Sequence, residues 1–318
     1  MAPPEPQIDY PFLGTGVVMR RALEMVREGL REPAEARRYL LERTWAIWER
    51  FGFFVVPDHY YYPIPSTADL ERTRPWEEPF PTAGIDFREG FQLGLLEEFE
   101  QYVAEYEPFD DGFESNGDGP VLYAMVREFE PDRVVEVGSG SSTRVVLEAS
   151  ERNAADSGER TEVVAIEPYP DEDLRRLAAR HDNLTLRESR AEDVDVEFYT
   201  ALDAGDFLFV DSSHVARAGN DVTHLYLRVL PRLPVGVYVH AHDIRFPEEY
   251  PREWLVDDHH FWTEQYLLQS FMSYNDSFEV VWAGNWMSET HGERLEAALP
   301  NYGSDAGWPG SFWIRRSD

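Results

Sequence analysis

The sequence predicts an α/β protein in which a mostly parallel sheet is covered by helices on both faces and preceded by a helical N-terminal region. Two observations carry that reading. From Pro120 onwards, short β-branched and aromatic runs alternate with amphipathic helical stretches, as in a sheet whose crossovers are helices. Within it, Val134-Val-Glu-Val-Gly-Ser-Gly-Ser-Ser-Thr143 passes from an apolar strand through a glycine loop into a helix. Gly138 and Gly140 let the backbone bend there and approach a ligand where a Cβ would collide.

The elements follow in order. Residues 1–16 read as a loosely held arm and 17–30 as a helix. A second helix opens near Pro33 and stops at Gly52, with Leu41, Trp45 and Trp48 on one face. Phe53-Phe-Val-Val-Pro57 reads as a short strand. His59 to Tyr62 and the proline-rich stretch to Pro81 are long for a structureless loop and so are functional or packed. Phe91, Leu95, Phe99 and Tyr102 mark an amphipathic helix. This places residues 1–115 in a helical extension and 116–318 in the main domain.

In the main domain, Leu122, Met125, Val126 and Phe129 form a helical stripe before the Glu136 strand. Thr161 to Glu167 is the second strand and ends in an acid, placed where it can accept hydrogen bonds from both hydroxyls of a ribose. Further strands are expected at 184–187, 206–211, 235–241, 278–282 and 311–315, which makes seven. Helices are expected at 171–180, 221–230, 263–274 and 289–298. Asp171 and Asp221 suit N-caps.

Two strand ends carry the chemistry. Asp206-Phe-Leu-Phe-Val-Asp-Ser-Ser-His214 puts Asp211 and His214 just past one strand, and Val237-Tyr-Val-His-Ala-His-Asp243 does the same for His242 and Asp243. Neighbouring strand ends of a parallel sheet face one crevice. His214 is expected to be the proton acceptor, since an imidazole with an ordinary pKa near 6.5 is neutral at physiological pH. His240 is expected to point into the sheet packing. Tyr250, Trp254, Trp262 and Tyr266 follow the fifth strand and would offer flat apolar walls.

Glu136, Gly138, Ser139 and Gly140, with Glu167 and the strand ending in Asp211, resemble the class I S-adenosylmethionine (SAM)-dependent methyltransferases over roughly Pro120 to the C-terminus. The resemblance implies a Rossmann-like seven-stranded sheet with an antiparallel last strand and SAM above the strand ends. It implies SAM contacts at Glu136, Gly138, Ser139, Gly140, Glu167, Glu192 and Asp211. The strand-end cluster is similar to that of the metal-dependent small-molecule O-methyltransferases of the catechol and macrocin types. That similarity implies a magnesium ion on Asp211, His242 and Asp243, with His214 and Asp211 catalytic. Histidine at 242 departs from the family's acid and is a poor magnesium ligand, so with Asp243 and nitrogen donors in reach manganese or another transition ion stays open. A nicotinamide-linked oxidoreductase is the alternative enzyme, disfavoured because Thr143 replaces the third glycine of its fingerprint. A SAM-binding protein without catalysis is the other alternative.

Composition narrows the setting. The 318 residues carry 61 acidic and 29 basic side chains, a formal net charge of −32, with no lysine and no cysteine. Nineteen Phe, sixteen Tyr and nine Trp mark a folded, acid-coated chain and not a disordered acidic one. Such a surface repels nucleic acid and anionic membranes; a small-molecule substrate is the expected partner, and whether the chain forms a homo-oligomer stays open. It also repels itself unless salt screens it, which suggests a halophile's protein. Without a secretory leader or a membrane-spanning run, the expected location is the cytoplasm.

Overall fold

The computed structural model describes residues 41, 44–108, 116–299, 302 and 307–318. The expected arm over 1–16, the helix over 17–30 and the helix start at Pro33 lie outside them. The chain divides into two compact units, Met1–Thr73 and Arg74–Asp318. The division falls before the expected boundary at 115.

In the first unit, a helical stretch over 44–50 carries a hydrogen bond from Trp48 Nε1 to Thr44 Oγ1 at 3.1 Å. A second helix, α1, spans Thr67–Thr73. The expected strand at Phe53–Pro57 is irregular, and among the described residues no strand pairs with it. Apolar, β-branched composition alone does not make a strand without a neighbour to bond.

The second unit is built on one seven-stranded sheet. Its strands are β1 (Arg133–Val137), β2 (Glu162–Ile166), β3 (Leu184–Arg187), β4 (Phe207–Val210), β5 (Tyr238–Ala241), β6 (Phe278–Ala283) and β7 (Phe312–Arg316). Their order is β3-β2-β1-β4-β5-β7-β6. Pairs among β1 to β5 are parallel, whereas β7 runs antiparallel to both β5 and β6. The seven expected strands are thus all present, with the antiparallel one last.

Alternation along the strands sorts side chains onto two cores. Val134, Phe207, Phe209 and Trp313 pack on one face under α2 (Glu89–Val103), α3 (Asp118–Phe129) and α4 (Ser141–Asp156). Val135, Val137, Leu208, Val210 and Val239 fill the other, with Val222, Tyr226 and Leu268. α2 belongs to this unit because Phe99 is fully buried against Trp282, ring centroids 5.8 Å apart, and Gln92 Oε1 accepts the N–H of Ala283 at 2.7 Å.

α5 (Glu172–Arg180) starts as expected, its cap Asp171 accepting the N–H of Leu174 at 2.7 Å. After β4 the expected helix is only partly α. Asp221–His224 (α6) runs into a π turn over Leu225–Val229. Its cap is Asn220, not Asp221; the Asp221 carboxylate instead accepts the Ser213 N–H at 2.8 Å and its hydroxyl at 2.6 Å, fastening the loop after β4. α7 spans Glu264–Met272, and α8 spans Gly284–Ala298, opening five residues before the expected start at 289. Among the described residues no helix is long and apolar enough to cross a membrane.

Candidate active site

β1 ends in the glycine loop, and the loop's geometry explains its composition. Gly138 has φ +77°, and a Cβ there would lie 1.6 Å from the carbonyl oxygen of Asp211. The glycine therefore lets the ends of β1 and β4 close on each other, helped by a hydrogen bond from Asp211 N to Val137 O at 2.8 Å. Gly140 differs: its backbone is extended and nothing lies within 4 Å of a Cβ built on it. The loop is thus closed underneath and open above Gly140.

Glu136 is fully buried and serves this loop from below. Its carboxyl accepts the Ser142 hydroxyl at 2.5 Å and the Thr143 hydroxyl, and Gly140 N donates to Thr143 Oγ1 at 3.2 Å. Burial pushes the Glu136 carboxyl up to about 7 against the pull of those hydroxyls. Thr143, which breaks the dinucleotide fingerprint, thereby locks the loop onto α4. Ser139 is half-buried in the loop.

Glu167 stands half-buried past the end of β2, where Oε1 accepts the N–H of Tyr169 at 2.8 Å. Glu192 sits in the turn after β3, 4.0 Å from Arg190. The hydroxyls of Ser189, after β3, and Ser212, after β4, are buried without a hydrogen-bond partner. Open space over Gly140, a carboxylate beyond β2 and two unanswered hydroxyls on the same sheet edge fit a ligand with ribose and amino-acid ends, as SAM has.

Beyond β4 and β5, the structure brings together Asp211, His214 and Asp243. Each offers a ligand atom within 4.8 Å of the others. His214 Nε2 lies 3.2 Å from Asp211 Oδ1 and 3.5 Å from Asp243 Oδ2. On the ring's other side, Nδ1 is 2.8 Å from Oε2 of Glu264, a carboxylate with no exposure. Thr263 N and Glu264 N both donate to the His214 carbonyl, at 2.8 and 3.0 Å. His214 and Asp243 hold left-handed backbones, φ 57° and 56°. Such conformations persist in bulky residues only where the surroundings impose them.

The charges follow from that crowding. Burial pulls the His214 imidazole down, but the carboxylates of Asp211 and Glu264 overcome it and raise the pKa to about 10. Between two carboxylates and with no cation beside it, the ring favours the protonated form over the neutral one expected at physiological pH. Burial pushes Asp211 up, yet His242 and His214 hold it below its ordinary range. His242 is buried beside Asp243, Nε2 to Oδ1 4.0 Å, and its Nδ1 lies 3.3 Å from His240 Nε2, so it stands outside the triad. His240 points into the packing as expected, 4.0 Å from the Phe209 ring, and burial drives its pKa well down.

Two site residues escaped the sequence analysis. Glu264 opens α7, fifty positions beyond His214. Asp118, at the start of α3, is buried and accepts the N–H groups of Gly310 at 2.9 Å and Ser311 at 3.0 Å. Burial raises its carboxyl to about 6, although the charge of His242 opposes this. Gly310 packs against Asp243, where a Cβ would lie 3.1 Å from the Asp243 backbone. Asp118 thus fixes the strand entry on which Asp243 leans.

An aromatic wall adjoins the triad. Trp262 lies 4.3 Å from the His214 ring, and Trp254 lies 5.0 Å from Trp262 and 5.3 Å from Trp308. Tyr250 packs edge-on to Trp262 at 5.9 Å. Tyr266 belongs elsewhere; its hydroxyl donates to Glu249 at 2.9 Å.

Residues 135–244, which span the glycine loop and both acidic strand ends, match the family described as Methyltransf_24, methyltransferase domain. An uncharacterized protein of Archaeoglobus fulgidus is 27% identical over 183 residues, 52% of this chain and 80% of the relative. Among solved structures, an SAH-bound Podospora anserina methyltransferase has TM-score 0.41 and 17% identity, over 83% of this chain and 99% of its own. A putative methyltransferase from Thermobifida fusca has TM-score 0.39 and 14% identity, over 76% of this chain and 96% of its own. The family match lies on the glycine loop and the acidic strand ends, so residues 135–244 are similar to a methyltransferase domain.

Proposed function

We propose that the protein transfers the SAM methyl group to a hydroxyl of a small molecule, a sugar, a glycosylated metabolite or a phenol, at the Asp211, His214 and Asp243 centre. The observation that supports this best is the convergence of those three side chains beside an aromatic wall, on the same sheet edge as the open glycine loop. Methyl transfer from a sulfonium is an in-line displacement, so the protein's tasks are alignment, exclusion of water and disposal of one proton. Trp254 and Trp262 would hold a flat acceptor or sugar face. Glu167 would hold the ribose, and the Gly138 to Gly140 loop the amino-acid end of SAM.

The centre is rich in negative charge. Asp118, Asp211, Asp243 and Glu264 surround His214 and His242, a donor set that fits a divalent cation. A cation held by Asp211 and Asp243 would lower the pKa of a bound hydroxyl. A neutral imidazole is then not needed, and the raised pKa of His214 is no obstacle.

The test is methyl transfer from labelled SAM to a panel of phenols, catechols and sugars, before and after chelation. Methylation of a hydroxyl acceptor, suppressed by EDTA and restored by a divalent ion, is expected, with Asp243→Asn weakening the rescue. Full turnover after exhaustive chelation, with no metal by elemental analysis, would refute the cation. SAM binding with no turnover on any hydroxyl acceptor would refute O-methylation.

A further inference from the structure

We propose that His214 is itself a cation ligand through Nε2, held in that role by Glu264, and that the centre therefore takes a nitrogen-accepting transition ion such as zinc or cobalt in preference to magnesium. The inference rests on the cation reading above and goes beyond it in naming the ligand set and the class of ion.

The distances carry the first part. Nε2 stands 3.2 Å from Asp211 Oδ1 and 3.5 Å from Asp243 Oδ2. Two donors sharing one ion at bonds of about 2.0–2.2 Å lie about 3–3.5 Å apart. A separation of 3.5 Å is long for a charged hydrogen bond, which runs at about 2.7–2.9 Å. The spacing therefore suits a shared ion better than a proton shared three ways.

The second part is the ring's other face. Nδ1 meets Oε2 of Glu264 at 2.8 Å, and Glu264 has no exposure. With its Nδ1–H given to a carboxylate, the ring offers its lone pair at Nε2 once an ion displaces the proton there, as metal binding to an imidazole requires. A carboxylate behind a ligating histidine is the usual device for fixing tautomer and orientation. The backbone repeats the constraint: the Thr263 and Glu264 N–H groups both bond the His214 carbonyl, and His214 is kept at φ 57°. Nε2 is thereby fixed in place with little freedom to turn away.

The third part is ligand chemistry. Magnesium takes oxygen donors and releases water reluctantly, whereas imidazole suits zinc, cobalt, nickel and iron. A nitrogen in the triad shifts the balance to the latter. His242, 4.0 Å from Asp243, adds a second imidazole next to the centre.

The whole protein, stripped of metal and kept in about 1 M KCl to mask nonspecific carboxylate binding, is titrated with Co²⁺ and with Mg²⁺ by calorimetry, and SAM binding is measured in parallel. One Co²⁺ per chain is expected. His214→Gln should weaken Co²⁺ by at least about 30-fold and Mg²⁺ by less than about threefold, and Glu264→Gln should weaken Co²⁺ by about 10–100-fold. SAM affinity should stay unchanged in both. A measurement on the unaltered protein guards against variants that fail to fold: proton NMR of the Co²⁺ form should show a strongly shifted, exchangeable imidazole N–H. If Co²⁺ binds and no such signal is present, or if folded His214→Gln keeps its Co²⁺ affinity, His214 is not a ligand and the cation rests on Asp211 and Asp243 alone. If neither ion binds while SAM does, the cation reading itself falls.

Discussion

Replacing Gly138 and Gly140 by alanine, one at a time, separates a glycine that the fold needs from one that the ligand needs. At Gly138 the new Cβ would meet the Asp211 carbonyl oxygen at 1.6 Å. Real Cβ contacts under 3.0 Å are essentially never seen, so the two strand ends must part by 3.0 − 1.6 = 1.4 Å. That movement breaks the 2.8 Å hydrogen bond from Asp211 N to Val137 O, worth about 0.5–1.5 kcal/mol net. Overpacking adds about 1–3 kcal/mol, and alanine at φ +77° roughly 1–2 kcal/mol more. The expected loss is about 3–6 kcal/mol, a large part of the ~5–15 kcal/mol that a domain has. In a unit of this size it lowers Tm by on the order of 10 °C. Gly140 is extended with open space around it, so Gly140→Ala should melt within about 1–2 °C of the parent, by the usual limit for harmless substitutions. It should nonetheless bind SAM at least about tenfold more weakly, because the methyl occupies the ligand's approach. Calorimetric melting and SAM titration read both effects. A Gly138→Ala protein that melts like the parent would refute the steric argument, and a Gly140→Ala protein with parental SAM affinity would refute the approach over the loop.

Glu167→Ala should lose charge-assisted hydrogen bonds of about 1.5–3 kcal/mol each, so SAM affinity should fall at least tenfold; unchanged affinity in a folded variant removes Glu167 from the site. Glu136 has a folded pKa of about 7 against an ordinary 4.5, so its contribution to stability is fully present below pH 4.5 and lost as pH rises through 7. The 2.5-unit difference corresponds to about 3 kcal/mol, and Glu136→Gln should remove that decline from urea-unfolding curves between pH 5 and 8; parallel curves for both proteins would count against it. The net charge of −32 predicts that Tm climbs as KCl rises from about 0.1 M to 1 M, where the Debye length falls from about 10 to 3 Å. Sucrose at equal osmolality should do much less, and equal effects would show that screening is not the cause.

What the sequence exposed and what it hid divide along a physical line. Strands and crossovers declare themselves by local periodicity, so the sheet was legible through to the antiparallel β7. The glycine loop and the acids closing β2, β4 and β5 were legible for the same reason: a strand end in a parallel sheet has a fixed address, above its neighbours' ends. The helix after β4 was less so, because its α-helical start gives way to a single π turn over Leu225–Val229, whose wider i→i+5 bonding is too short a run to set a periodicity of its own. The boundary of the second unit was hidden because α2 is assigned by Gln92 and Phe99 reaching β6 nearly two hundred residues away.

Glu264 and Asp118 show where local reasoning stops. Each is an acid in the first turn of a helix, a position that macrodipole and capping preferences fill routinely with no functional meaning. What distinguishes them is burial beside charge: one meets the far nitrogen of His214, and the other faces His242 while holding the backbone before β7. Burying a carboxylate is costly unless something positive or a set of donors answers it. Each of these two is answered by one of the histidines flanking Asp243, and neither histidine belongs to the same helix. Their selection therefore belongs to the centre and not to the helices that carry them. The strand-end position of His214 was readable, but its charge was not, because that is set by Glu264, a residue whose proximity only the folded chain creates.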